Sequence, residues 1–107
     1  MGKPREKSWT YIKSMTRDYP KYKQYGVRNH VQQAEKDAVE AAIRDTLAMP
    51  DGESRIQVID LVYWRKTHTI AGAASVIHYS ERTAVQWHGE FLRLVGKHFK
   101  CDGLIER

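Results

Sequence analysis

Along most of the chain, apolar residues recur three or four positions apart, the spacing of helices that bury one face. After Ser8, a candidate N-cap, the residues Trp9, Ile12, Met15 and Tyr19 form one such stripe, which Pro20 is expected to end. Residues 20–30 read as a basic, tyrosine-rich connection. A second helix is predicted from about Val31 to Met49, with Val31, Ala34, Ala38, Ala41, Ala42 and Leu47 marking its apolar face. Glu35, Asp37, Glu40 and Asp45 fall mainly on the other side and are expected to be solvated. Pro50-Asp51-Gly52 reads as a turn. A third helix opens at Glu53 or Ser54 and runs through Ile56, Ile59, Val62 and Tyr63 to about Arg65-Lys66. The β-branched content of residues 56–63 would also suit a strand, but its spacing is helical and no second strand is on offer to pair with it. The prediction is therefore an all-α fold, a small helical bundle forming a single domain over residues 1–107, with N-terminal helices in 8–49.

The most informative stretch begins at Thr69. It can cap a short helix of small residues, Ile70 to Ile77, in which Ala73 and Ala74 leave room for a second helix to cross closely. His78-Tyr79 breaks the pattern; histidine enters a left-handed turn conformation more readily than a β-branched residue. Ser80 offers a new N-cap, and Glu81 places a negative charge in the first turn, where it suits the helix dipole. Ala84, Trp87, Phe91, Leu94, Val95 and Phe99 then share one side of a longer helix. A short helix, a three-residue turn and a serine-capped second helix make a C-terminal helix-turn-helix within residues 54–99. In that arrangement Ser80, Glu81, Arg82, Val85, Gln86 and Gly89 point outward, and the start of the helix enters the major groove. Arg82 suits bidentate contact with guanine and Gln86 with adenine.

Charge agrees with a polyanion partner. Lys+Arg number 18 against 13 Asp+Glu, a formal net charge of +5. Residues 1–30 carry +6, residues 31–62 carry −4 and residues 63–107 carry +3. The acidic patch of residues 35–45 is poorly suited to DNA and is expected to face RNA polymerase or another protein. Tyr11, Tyr19, Tyr22 and Tyr25 interleave with Lys13, Arg17, Lys21, Lys23 and Arg28, a mixture that can also hold single-stranded nucleic acid. Packing of Trp9, Tyr19 and Tyr22 on the helical core is the expected use.

Tyr63-Trp-Arg-Lys, followed by Thr69-Ile-Ala-Gly-Ala-Ala-Ser-Val-Ile-His-Tyr-Ser-Glu-Arg-Thr-Ala, resembles DNA-binding region 4 of bacterial sigma factors, over about residues 55–99. The helical opening from Trp9, its Asp18-Tyr19-Pro20 ending and the chain length resemble small phage-encoded transcriptional regulators of the RinA and ArpU type. These resemblances imply a sequence-specific regulator binding double-stranded DNA, an activator of late phage genes in the cytoplasm of a bacterial host. They put Ser80, Glu81, Arg82, Val85 and Gln86 at the base-reading positions. Arg65, Lys66, Thr69, Thr83, Arg93 and Lys97 would contact phosphates. RNA polymerase and a second copy of the chain are the candidate protein partners.

Two other classes of function suit the same pattern. One is a DNA-packaging protein like a phage small terminase subunit, which would be expected to add a long oligomerising helix after the motif. The other is a protein–protein module that uses the helix-turn-helix only as scaffold. Enzymatic activity is not expected, since no glycine-rich phosphate loop, nucleophile elbow or carboxylate couple is present. No cofactor or metal is expected either: His68, His78, His88 and His98 recur every ten residues and so do not share a helix face, and His98 with Cys101 supplies only two ligands. The lone cysteine, the lack of an apolar leader behind Met1 and the lack of a long apolar run predict a reducing cytosol and no membrane.

Overall fold

The computed structural model describes residues 3–99, with side chains from residue 9 onward. Among the described residues the chain is all helical: α1 (Lys3–Tyr25), α2 (His30–Leu47), α3 (Gly52–Ile59), a π-helical turn (Asp60–Trp64), α4 (Ile70–Ile77) and α5 (Glu81–His98). None of these helices is long and apolar enough to cross a membrane. Cys101 lies outside the described residues.

The first helix does not stop at Pro20. It continues to Tyr25 and ends where Gly26 takes a left-handed φ of 82°. Proline removes the N–H that would bond the carbonyl four residues back, which usually breaks a helix. Here that carbonyl, Thr16 O, accepts instead from the Trp64 indole Nε1 at 2.9 Å. A side chain from 44 residues downstream of Pro20 thus takes the place of the missing donor. Trp64→Phe should cost about 1–3 kcal/mol by stranding this carbonyl. In a Pro20→Ala background, where residue 20 regains its N–H, the cost should shrink. Denaturant unfolding of the four-member mutant cycle measures this coupling, and strictly additive losses would contradict it.

Helix α2 starts close to its predicted place because the Asn29 side chain accepts from Gln32 N at 2.9 Å. Its buried face differs from the expected one. Val31 (56% exposed) and Leu47 (49% exposed) face outward, and Ala34 is exposed. Glu35, Ala38, Val39, Ala41, Ala42 and Thr46 face inward. The expectation of a solvated acidic face therefore holds for Asp37 and Asp45 only. Glu35 is 7% exposed, its carboxylate accepting the hydroxyls of Tyr11 and Tyr22. Glu40 is half-buried and accepts from the Tyr19 hydroxyl at 3.2 Å while pairing with Lys36 at 3.3 Å. Hydrogen-bond donors from α1 make burial of these carboxylates tolerable. They also remove them from any acidic docking patch.

Glycine is required at the start of α3. A Cβ on Gly52 would lie 2.6 Å from Leu47 O and 2.7 Å from Thr46 O. Close approach of the two backbones sets the helix start there, one or two residues before the predicted Glu53 or Ser54.

Two apolar clusters make up the core. The larger joins Ile12, Met15 and Tyr19 of α1 to Ala38, Val39 and Ala42 of α2, Ile59, Tyr63, and Phe91, Leu92 and Val95 of α5. The smaller joins Val58 and Leu61 to Ala73 and Ala74 of α4 and to Ala84 and Trp87 of α5. Helix α5 belongs to both, so the position of its N-terminal half against α4 is tied to the packing of the whole bundle.

Candidate nucleic-acid interface

Each end of the α4–α5 unit is defined by local chemistry. Thr69 Oγ1 accepts from Gly72 N at 3.1 Å and caps α4. His78, at φ 64° and ψ 40°, ends it in the left-handed conformation, and Tyr79 N returns to Ala74 O at 3.0 Å. Ser80 caps α5 by accepting from Thr83 N at 3.1 Å, and its hydroxyl donates to Thr83 Oγ1 at 2.9 Å. The two helices meet through residues with little or no bulk, Ala73 and Ala74 against Ala84, beside Trp87. Tyr79 from the turn lies 4.7 Å from the Trp87 ring, and its hydroxyl donates to Asp51 at 3.0 Å.

Ser80, Glu81, Arg82, Val85 and Gln86 are all exposed. At about 100° per residue, Val85, Gln86, Arg93 and Lys97 fall within about 60° of Arg82 around the α5 axis, so they form one outward stripe. Arg82 makes no ion pair among the described residues. Gln86 is less free, because its Nε2 donates to Glu90 at 3.0 Å, and Glu90 pairs with Arg55 at 2.5 Å. These donors, Gln86 first, hold the Glu90 carboxyl below the usual carboxylate range. The Arg55 guanidinium in turn lies 5.1 Å from the Trp87 ring centre. This Arg55–Glu90–Gln86 chain was not foreseen, since its members lie up to 35 residues apart.

The remaining predicted contacts are less uniform. Lys66 and Lys97 are exposed. Arg65 is exposed but paired with Asp60 at 2.9 Å. Thr69 is committed to its cap, and Thr83 is half-buried with its hydroxyl taken up by Ser80. Arg93 lies 5.9 Å from the ring centre of Trp9 on α1.

His88 also turns toward other elements. Its Nε2 lies 2.7 Å from the Tyr63 hydroxyl, with the two rings stacked 5.4 Å apart at an angle of 5°. Burial, and then the charge of Lys13, push the imidazole below its ordinary pKa, while burial pushes the Tyr63 phenol up. A neutral ring accepting from Tyr63 satisfies both shifts. Because the folded-state pKa lies below the unfolded 6.5, the unfolded chain binds this proton first as pH falls. Stability is therefore full above about pH 6.5 and is lost as pH drops from there through the folded value. Denaturant unfolding between pH 8 and 5 should show a slope that His88→Gln removes; identical slopes in the two proteins would refute the assignment. His98 pairs with Asp45 of α2 at 2.7 Å. Among the described residues, no three His, Cys, Asp or Glu side chains gather to hold a metal.

Compared with known proteins, the chain matches no protein-family model, no curated protein and no solved structure.

Proposed function

We propose that the chain is a sequence-specific DNA-binding transcriptional regulator, in which α4, the 78–80 turn and α5 act as a helix-turn-helix. The observation that carries this reading is the division of labour on α5. Ala84 and Trp87 lock its inner face to α4, while the first two turns present Ser80, Glu81, Arg82, Val85 and Gln86 to solvent. Such an element, held rigidly and bare at its N-terminal end, suits insertion into a groove about 12 Å wide. The basic stripe of Arg82, Arg93 and Lys97 adds the charge that phosphates require.

In this reading Arg82 and Gln86 read base edges, Val85 touches a thymine methyl, and Lys66, Arg93 and Lys97 touch the backbone. Gln86 must either give up Glu90 on binding or read with its free carbonyl oxygen. One such unit covers only about 4–5 base pairs, so a second copy of the chain or RNA polymerase supplies the remaining selectivity. Regulation of phage late genes is the biological setting that the sequence resemblance favours. Selection of bound sequences from random duplex DNA, followed by competition with non-specific duplex, tests the proposal. A defined consensus is the expected result, and uniform retention of all sequences would overturn it.

A further inference from the structure

An open cleft of about 450 Å³ lies between α1 and α5, lined by Trp9, Thr10, Lys13, His88, Gly89 and Leu92. It borders the outward stripe of α5, since Gly89 lies nearly in line with Arg82 around the helix axis. Trp9, Lys13 and Arg17 succeed one another every four residues along α1 and so share one side of it. Lys13 is exposed and makes no ion pair among the described residues, and its charge acts on His88. Arg17 lies 6.0 Å from the centre of the Tyr63 ring that stacks on His88. From the α5 side, Arg93 leans over Trp9.

Gly89 is the unexplained residue in this cleft. Glycine inside a helix is destabilising relative to alanine. Gly52 repays that cost through a close backbone approach, but Gly89 does not. A Cβ there would meet only Arg93 Nη1, at an ordinary 3.6 Å. Packing within the chain leaves the position open, whereas an external group approaching the α5 backbone would need the space. Position along the helix says what that group is. Gly89 lies seven residues beyond Arg82, about 10 Å along the axis, which is more than the roughly 8.5 Å depth of the major groove. A helix whose first turns sit in the groove passes the bounding phosphates at this level.

We propose that the α1–α5 cleft binds a phosphate of the DNA backbone, with Lys13 as the cation that lines it, Arg17 one turn further along α1 as a second, and Gly89 as the gap that admits it. This rests on the DNA-binding reading above and extends it from the C-terminal helices to the first helix of the chain.

The experiment measures affinity for a duplex of non-consensus sequence across a salt series, using the full chain, Lys13→Gln, and Lys13→Gln/Arg17→Gln. Both side chains are exposed, so the core is left intact. Each lost phosphate contact should flatten the salt dependence by about 0.9 and weaken binding about eightfold at 0.1 M salt. Gly89→Glu, which retains both cations but puts a carboxylate into the gap, should weaken binding at least as much. If the unaltered chain binds duplex and these variants match it in slope and affinity, the cleft assignment fails while the reading of α5 stands. If the slopes fall but no consensus emerges from selection, the cleft stands as a backbone site and sequence-specific regulation fails. No duplex binding even at low salt overturns both. Saturable binding of inorganic phosphate that Lys13→Gln abolishes, with duplex affinity unchanged, would make the cleft a free-anion site and overturn the backbone assignment.

Discussion

Trp87→Ala should lower the free energy of unfolding by about 3–5 kcal/mol, a large part of the roughly 5–15 kcal/mol that holds a domain of this size together. The indole is 6% exposed, and its cluster combines Ala73, Ala74 and Ala84 with the larger Val58 and Leu61. Alanine side chains cannot swing into a vacated space, and the α5 backbone that carries Ala84 is held by the larger cluster, so part of the hole would stay open. Two further groups lose their support at once: the Tyr79 ring at 4.7 Å and the Arg55 guanidinium at 5.1 Å. Trp87→Phe, which retains an aromatic face for both, should lose much less. Denaturant unfolding decides the matter, and a loss below about 1.5 kcal/mol for Trp87→Ala would show that α4 and α5 repack freely.

Arg82→Ala should leave stability within about 0.5 kcal/mol, because an exposed side chain without an ion-pair partner is being removed. Binding to the selected duplex should nonetheless weaken by about 1–3 kcal/mol, with preference relaxed at one base pair. Affinity for unrelated duplex should change far less. This contrast separates a base-reading arginine from one that merely adds positive charge. An equal loss on both duplexes would move Arg82 to the backbone, and an unchanged preference at every position would remove α5 from the groove.

Local signals made most of the helices legible. Thr69 and Ser80 each cap the helix they precede, and the spacing of Ile12, Met15 and Tyr19 marks a face that the bundle does bury. Ala74, Ala84 and Trp87 are buried and Ser80, Glu81, Arg82, Val85 and Gln86 exposed, as their places along the two helices predict. What could not be read in advance depended on partners distant in sequence. Pro20 is a helix breaker by any local rule, and only the Trp64 indole allows α1 to continue through it. Glu35 reads as a solvated acid until the hydroxyls of Tyr11 and Tyr22 are placed beside it. With Glu35 drawn inward, the face of α2 rotates and Val31 and Leu47 move out to solvent. The cleft at Gly89 is a product of α1 lying against α5, and no motif within either helix announces it.

The π turn at Asp60–Trp64 has a consequence for how this chain can vary. Arg65 N bonds Asp60 O at 2.7 Å, closing a ring that encloses one residue more than an α-helical turn. Within this turn, consecutive residues reach opposite partners: Tyr63 takes His88 of α5, and Trp64 takes Thr16 of α1. The extra residue is what lets both neighbours reach out: a deletion that returned the segment to an α-helical turn would leave one position fewer to supply the two anchors. In the link at residues 26–29 a residue can be added between Gly26, which ends α1, and Asn29, which caps α2, with both ends kept, whereas a change of length in the π turn disturbs two helices at once.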